Sequence, residues 1–333
     1  MLNNKTILIT GGTGSFGKIF TRYILEEHNP KKVIVLSRDE FKQFHMKREF
    51  EKHKNLRFFL GDIRDKERLE RAFQDVDIVV HAAALKQVEI LEYNPFEAVK
   101  TNILGTQNVI NAAIDKGVKK LLLVSTDKAA QPVNLYGATK LSAEKIGINA
   151  NTYSSKKTII SCVRYGNVIG SRGSIIESLL KAKRENTDAV YITDERMTRF
   201  WITLEQAGDL VMYALENMHG GEVFIPKVPS MKLVDLFDTL APGIKREITG
   251  IRPGEKLHEM LISPDEARHS VELEKYYVIL PEQSEFFTCE EWYKKAPHTC
   301  KELPLDFSYT SDTNKMWFTR EEILQLAKDV ENH

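Results

Sequence analysis

Through the first half of the chain, short apolar runs alternate with longer stretches whose apolar positions recur at helical spacing. The runs KTILIT (5–10), KVIVLS (32–37), LRFFL (56–60), DIVVHA (77–82), KLLLVS (120–125) and TIISCVR (158–164) are nearly continuous in their hydrophobicity. Such runs fit strands of a parallel sheet covered on both faces; a sheet with one wet face would alternate apolar and polar residues instead. Between them, RLERAFQD and PFEAVKTNILGTQNVINAAIDKG read as helices, the second opening at Pro95 and closing near Gly117. Proline suits a first helical turn and glycine the residue that ends a helix. Unbroken β-α repetition predicts a Rossmann-like, doubly wound α/β domain over residues 1–166.

Beyond Asn167 the pattern loosens. GSIIESLLKAKREN, TLEQAGDLVMYALENM and MKLVDLFDTLA read as helices, and EVFIP, REITGI and YYVIL as short strands. Residues 167–333 are therefore expected to form a smaller mixed α/β, mainly substrate-binding region, with room for elements to return to the main sheet. Near the end, Thr319 and Glu322 have the spacing of a capping box, with Phe318 and Ile323 placed as a hydrophobic staple.

Composition narrows the class. The chain has 333 residues, 28% of them charged and 42% hydrophobic, enough for one large or two closely packed globular domains. Lys+Arg and Asp+Glu balance at 47 each, so neither a nucleic-acid nor a membrane surface is expected. The apolar runs are too short for a bilayer span, and MLNNKTILITGG lacks the features of a secretory signal. Cys162, Cys289 and Cys300 have no metal-ligand spacing and cannot all pair, which fits a reduced, cytoplasmic setting. His258 has no metal-spaced partner and reads as structural.

Chemistry enters at ITGGTGSFGK, where Gly11, Gly14 and Gly17 follow the first strand and open a helix. Glycines let backbone approach a pyrophosphate, and the helix N-terminus offers N–H donors to it. The cofactor set is thus Gly11, Thr13, Gly14, Ser15, Phe16 and Gly17, followed by the end of the second strand. There SRDEFK brings Ser37, Arg38 and Lys42 around one point. A hydroxyl and two cations suit the extra phosphate of NADP, although Asp39 among them could face a ribose hydroxyl as in NAD enzymes. Asp62, with Ile63 beside it, is placed toward adenine, and the small HAAA run around Ala82 would let a cofactor pass close to the backbone.

In LLLVSTDKAAQPVNLYGATK, Tyr136 and Lys140 lie one helical turn apart and share a face. A neighbouring ammonium favours tyrosinate, lowering a pKa otherwise near 10 and making Tyr136 a base for a sugar or alcohol hydroxyl. Tyr-x-x-x-Lys alone is common by chance; its place after a fifth strand, in a chain with a dinucleotide fingerprint, gives it weight. Asp127 and Lys128 stand side by side, each favouring the other's charge, so they should titrate as one unit.

Together GGTGSFG, GDIRD, HAAALK, STDKA, YGATK and RYGNVIGSRGS resemble the extended short-chain dehydrogenase/reductase family. Within it, SRDE, STDKAAQPVNLYGATK, RMTRFWIT and GIRPGEKLHE are similar to the soluble UDP-N-acetylglucosamine 4,6-dehydratases that invert C5 and open the pseudaminic acid pathway. The resemblance runs from about residue 3 to about residue 280. It implies a catalytic set of Thr126, Asp127, Lys128, Tyr136 and Lys140, acting with tightly bound NADP that is regenerated each turnover. Tyr136 would take the O4 proton, Lys128 the C5 proton, and Asp127 would protonate the departing C6 hydroxyl. The product would be a 4-keto-6-deoxy-L-arabino sugar nucleotide. C5-retaining relatives typically have Met where Tyr136 stands here.

For the substrate, UDP-N-acetylglucosamine, the resemblance places Lys86 and Asn167 near the sugar and Glu255 near the uridine or ribose. Arg199 and Arg252, read as cations on loops, suit a diphosphate. Arg172 could serve either cofactor or diphosphate. The family implies a homo-oligomer, with residues 94–115 and 136–152 at its interface. Three other readings compete. A C4 epimerase would need Tyr136 and Lys140 but not Asp127-Lys128. An NADPH-sensing protein would not need Tyr136 and Lys140, and an NADP-linked alcohol dehydrogenase would consume free cofactor.

Overall fold

The computed structural model describes residues 1–154, 157–171, 174–282, 292 and 300–331. Arg172 and Cys289 lie outside the described residues. The six expected strands of the first half form within one residue of their predicted ends. They are β1 (Thr6–Thr10), β2 (Lys32–Ser37), β3 (Leu56–Leu60), β4 (Ile78–His81), β5 (Lys120–Val124) and β6 (Ile159–Val163). They pair in parallel in the order β3-β2-β1-β4-β5-β6, with Thr6 opposite Lys32 and Ile7 opposite Ile78. The order reverses between β1 and β4, and in such sheets ligands bind beyond the carboxyl ends of the strands at that point.

The C-terminal half extends this sheet. Strand β10 (Val223–Pro226) adds in parallel to β6, and β15 (Tyr276–Ile279), β14 (Ser270–Glu272) and β16 (Lys301–Glu302) continue it antiparallel. One large core wraps the ten strands, from Ile7, Leu8 and Ile9 to Phe224 and Val278. A second core gathers Trp201, Met231, Leu236 and Phe237 with Ile323 and Ala327 of the terminal helix Arg320–Glu331. That helix starts as the spacing predicts: Thr319 Oγ1 accepts from the Glu322 amide and the Glu322 carboxylate accepts from the Thr319 amide.

Helices α1 (Ser15–Glu27), α2 (Glu40–Glu49), α3 (Lys66–Ala72) and α4 (Val88–Tyr93) connect the early strands. The single helix expected over 95–117 is interrupted. It runs as α5 (Pro95–Ala98), a π-helical segment Val99–Leu104, and α6 (Gly105–Asp115). The wide turn has an identifiable use. Buried Asn102 accepts from the Leu85 amide and donates to the Leu85 carbonyl and Thr139 Oγ1, tying this helix to the loop after β4 and to α7 (Leu135–Tyr153). Single π-turns inside helices recur where a side chain must be re-aimed.

After β7 (Asn167–Val168) come α8 (Ile175–Glu185), β8 (Ala189–Ile192), β9 (Thr198–Ile202) and α9 (Leu204–Asn217). Then follow β11 (Ser230–Lys232), α10 (Leu233–Leu240), β12 (Lys245–Ile248), β13 (Met260–Ile262) and α11 (Pro264–Ala267). Strand β9 joins β11 and β7 in a small sheet that RMTRFWIT did not announce. Its residues are buried at every position, so no alternation marks it.

Arg164, directly after β6, locks the two halves together. Its guanidinium meets Glu144 of α7 at 2.6 Å and Glu266 of α11 at 2.8 Å, and donates to the Leu261 carbonyl at 2.9 Å. Burial works against its charge, but the two carboxylates hold the guanidinium protonated. Removing one partner of such a buried cluster strands the others in a low-dielectric site. Arg164→Met is expected to cost about 3–5 kcal/mol in urea unfolding, and a loss below about 1 kcal/mol would contradict the clamp.

Candidate active site

At the carboxyl end of β1 the chain turns through Gly11 at φ +65°, and a Cβ there would sit 2.8 Å from backbone atoms of Ala83. A Cβ on Gly17 would stand 2.5 Å from Gly12 Cα, so helix α1 starts tight against the turn. This cradle opens into a cavity of about 700 Å³ that runs from α1 and β2 across to β5, α7 and β9. The whole expected cofactor set lines it, from Gly11 through Lys42 to Asp62, Ile63 and Ala82. Glycine backbone packed this closely, at a helix N-terminus, fits a dinucleotide pyrophosphate.

At the second strand, Asp39 serves the fold. Its Oδ1 caps α2 by accepting from the Lys42 amide, and its Oδ2 meets Lys42 Nζ at 2.8 Å. Ser37 accepts from Gln43 Nε2, and Arg38 lies half-exposed, 3.6 Å from Asp62. Asp62 itself is gripped by Arg64 at 2.7 Å. Burial opposes its charge, but the Arg64 hydrogen bonds hold its carboxyl below the usual range.

The opposite wall carries the reactive groups. Asp127 and Lys128 begin a short 3₁₀ turn after β5, and the Asp127 amide donates to the Tyr165 carbonyl. Thr126 Oγ1 donates to Asp127 Oδ1 at 2.9 Å, and Lys128 Nζ lies 3.1 Å from the same oxygen. Thr126, Asp127 and Lys128 thus form a bonded chain, with Tyr136 on the same wall of the cavity. Thr126, Lys128, Tyr136 and Lys140 line the cavity; Asp127 is wholly buried behind them.

The first turn of α7 is pressed onto this turn. A Cβ on Gly137 would fall 2.1 Å from the Lys128 carbonyl oxygen, so the glycine in YGATK is a close-approach residue. Asn134 caps the helix by accepting from the Gly137 amide and donates to the Gly254 carbonyl, while Glu92 accepts from the Leu135 amide.

Electrostatics depart from the sequence expectation at Tyr136. Burial pushes its pKa up to about 12, and the opposing contributions are the charge of Lys128 and the Thr126 hydrogen bond. Lys140 instead donates to the Val124 carbonyl at 2.8 Å, and burial lowers its pKa. The cation that favours tyrosinate in this geometry is therefore Lys128. Asp127 is raised, by burial first, with Lys128 opposing and Glu259 reinforcing. Lys128 is raised despite burial, because Asp127 and Glu259 flank it.

Among the expected substrate contacts, Lys86, Asn167, Arg199 and Glu255 line the cavity. Arg199 is not on a loop: it sits in β9, 7% exposed, and donates to the Leu257 carbonyl. Arg252 stays outside the lining, paired with Glu89 at 2.6 Å on the surface. His258 bonds Thr198 Oγ1 through Nδ1. Glu259, which sequence reading passed over, lies 3% exposed with Oε1 3.0 Å from Lys128 Nζ. The signal for it was a carboxylate next to the apolar strand β13, within the GEKLHE stretch.

Residues 7–281 match the family described as "Polysaccharide biosynthesis protein". The chain belongs to the polysaccharide biosynthesis protein family. Within reach of this family, it is 49% identical to the UDP-N-acetylglucosamine 4,6-dehydratase (inverting) of Campylobacter jejuni, over 99% of both chains. It is 38% identical to a UDP-glucose 4-epimerase of Rickettsia bellii, over 99% of this chain and 97% of the other. Among solved structures, Pen from Bacillus thuringiensis superposes with a TM-score of 0.89 at 39% identity, again over 99% of both chains. The family membership and the Rossmann-like sheet are as the motifs implied.

The Gly137 contact yields a direct expectation. Gly137→Ala should displace the Lys128 turn, cost about 1–3 kcal/mol and reduce turnover at least tenfold. Unchanged melting temperature and turnover would mean that the turn tolerates the methyl group.

Proposed function

We propose that the protein is a UDP-N-acetylglucosamine 4,6-dehydratase that inverts C5, giving UDP-2-acetamido-2,6-dideoxy-β-L-arabino-hex-4-ulose. The observation that carries this reading is Lys128 Nζ on the cavity wall beside Tyr136, backed by buried Asp127. A 4-epimerase needs one base at O4 and has no use for a second acid–base pair. The full-length relative named as the inverting dehydratase supports the same choice over the more distant epimerases.

The residues divide the work by reach. Tyr136, as the phenolate that the charge of Lys128 favours, takes the O4 proton, and Asp127, whose proton affinity burial raises, is the acid of the site. Lys128 removes the C5 proton once C4 is a ketone. Since Asp127 is screened from the cavity, its proton reaches the C6 hydroxyl by way of Lys128 or Thr126. Lys86, Asn167, Arg199 and Glu255 hold the nucleotide sugar along the same wall.

A nicotinamide cofactor, when bound, supplies the transient C4 oxidation and the final reduction at C6. We favour NADP, tightly held and regenerated at each turnover: Asp39 is engaged as a helix cap and by Lys42, and Ser37 and the half-exposed Arg38 lie at the ribose end of the cradle. Exposed Tyr93, Phe96 and Leu104 support a homo-oligomer built through helices α4 to α6. Among the described residues no helix is long and apolar enough to cross a membrane; the dehydratase reading itself, through the full-length relative, carries the proposal of a cytoplasmic enzyme at the entry to pseudaminic acid synthesis.

Proton NMR of the purified protein with UDP-N-acetylglucosamine in deuterated water, without added cofactor, tests the reading. A 4-keto-6-deoxy product carrying deuterium at C5 in the L-arabino configuration is expected. The D-xylo product would make it a retaining dehydratase, a 4-epimer would make it an epimerase, and no conversion even with NADP would refute both activities. For the cofactor, Arg38→Ala should weaken NADP binding about tenfold or more in calorimetry while NAD binding stays within twofold. Equal loss for both would count against a phosphate contact.

A further inference from the structure

Glu259 reaches the reactive wall from the opposite half of the chain. It directly precedes β13, and its backbone is fixed by two bonds to Ser311: its amide donates to Ser311 Oγ and its carbonyl accepts from the Ser311 amide. The carboxylate is thereby delivered to Lys128 Nζ at 3.0 Å, with Arg199 Nε of β9 at 3.8 Å from the same oxygen. Oε2 is buried with no hydrogen-bond partner, as is Asp127 Oδ2 on the other side of the ammonium. An unpaired oxygen of this kind is costly in a dry site. Simple packing of the loop would not require a carboxylate at that position.

We infer that Glu259 is a positioning residue for Lys128, holding Nζ on the cavity wall between two carboxylates and setting the pH at which the amine becomes a base. The inference rests on the dehydratase reading. The charges facing Lys128 come from every surrounding element: Asp127 on its own turn, Tyr136 on α7, Arg199 on β9, and Lys256 and Glu259 on the segment before β13. Of these, Asp127 and Glu259 raise the proton affinity of Lys128, and Arg199 lowers it. Glu259 itself is set against burial by Lys128 and Arg199, which hold its carboxyl below the usual range, whereas burial raises Asp127. The two carboxylates thus have separate duties: Asp127 exchanges a proton, and Glu259 supplies constant charge and geometry.

The sign of the effect is fixed by that arrangement. Removing the Glu259 charge lowers the pKa of Lys128, so the ascending limb of the kcat–pH curve, where Lys128 must lose its proton, moves to lower pH. Glu259→Gln is expected to shift that limb down by about one to three pH units and to reduce the plateau kcat about tenfold or more. KM for UDP-N-acetylglucosamine should stay within about threefold, because the residue is buried outside the cavity lining. Glu259→Asp restores the charge at shorter reach; its limb should return toward wild type while kcat stays low. Should the Gln variant not fold, the Asp variant carries the test by its kcat–KM split. A pH curve superimposable on wild type, or kcat and KM degraded together in step with thermal stability, would overturn the assignment. If wild-type protein itself forms no 4-keto product, the dehydratase reading fails; wild-type turnover with an unmoved limb in the variants removes Glu259 alone.

Discussion

The buried guanidinium of Arg164 is the constraint on which the site geometry rests. It stands at the end of β6, and its two carboxylate partners come from α7 and α11, in the two halves of the chain. Glu144 lies on the helix that carries Tyr136 and Lys140, and Glu266 lies a few residues beyond Glu259. One cation therefore fixes the separation between the wall that holds the phenol and the segment that holds the counter-charge of Lys128. Glu266 also completes a capping box with Ser263, which fixes its own position. A buried ion cluster is a poor source of net stability, because desolvation cancels much of the attraction. Its value here is geometric: no apolar replacement would define directions to three partners at once.

The Asp127–Lys128–Glu259 cluster follows the same logic at the cavity wall, with a different outcome. Arg164 is surrounded until no proton can move, whereas Lys128 is left partly open to the cavity and two carboxylate oxygens beside it have no partner. Perturbed titration in a cleft, with a specific charge partner on each side, is the arrangement expected where protons change hands. Thr126 adds a further link, its hydroxyl donating to Asp127 at 2.9 Å. Burial and the charge of Glu259 both raise the proton affinity of Asp127, while Asp127 and Glu259 together raise that of Lys128 against burial.

How much of this could be read along the chain depended on whether the information was local. The six parallel strands came out within a residue, because burial on both faces writes itself as uninterrupted hydrophobicity. The glycine cradle, Asp127-Lys128 and Tyr136-Lys140 are short-range motifs and were equally readable. The π-turn at Val99–Leu104 was not, since its cause is Asn102 reaching Leu85 and Thr139, contacts set by tertiary packing. Arg199 was mistaken for a loop cation because β9 is short and flanked by charge, and Glu259 was missed because its partner lies 131 positions earlier in the chain. The assumption that Lys140 tunes Tyr136 came from helical spacing; the folded chain gives Lys140 to the Val124 carbonyl and brings Lys128 to the phenol.

The same sheet, cradle and Tyr-Lys pair serve epimerases and dehydratases alike, so the distinction has to lie in what is added to them. Around Lys128 the parts are few: one 3₁₀ turn, a glycine that lets α7 close onto it, and a carboxylate just before β13. Each part depends on the others. Without Gly137 the turn cannot sit beneath the helix, and without the turn Lys128 would not reach the cavity beside Tyr136. Without Glu259, Lys128 would have one carboxylate anchor in place of two. Strand patterns thus identify the scaffold, while the reading of the reaction rests on the few residues around Lys128.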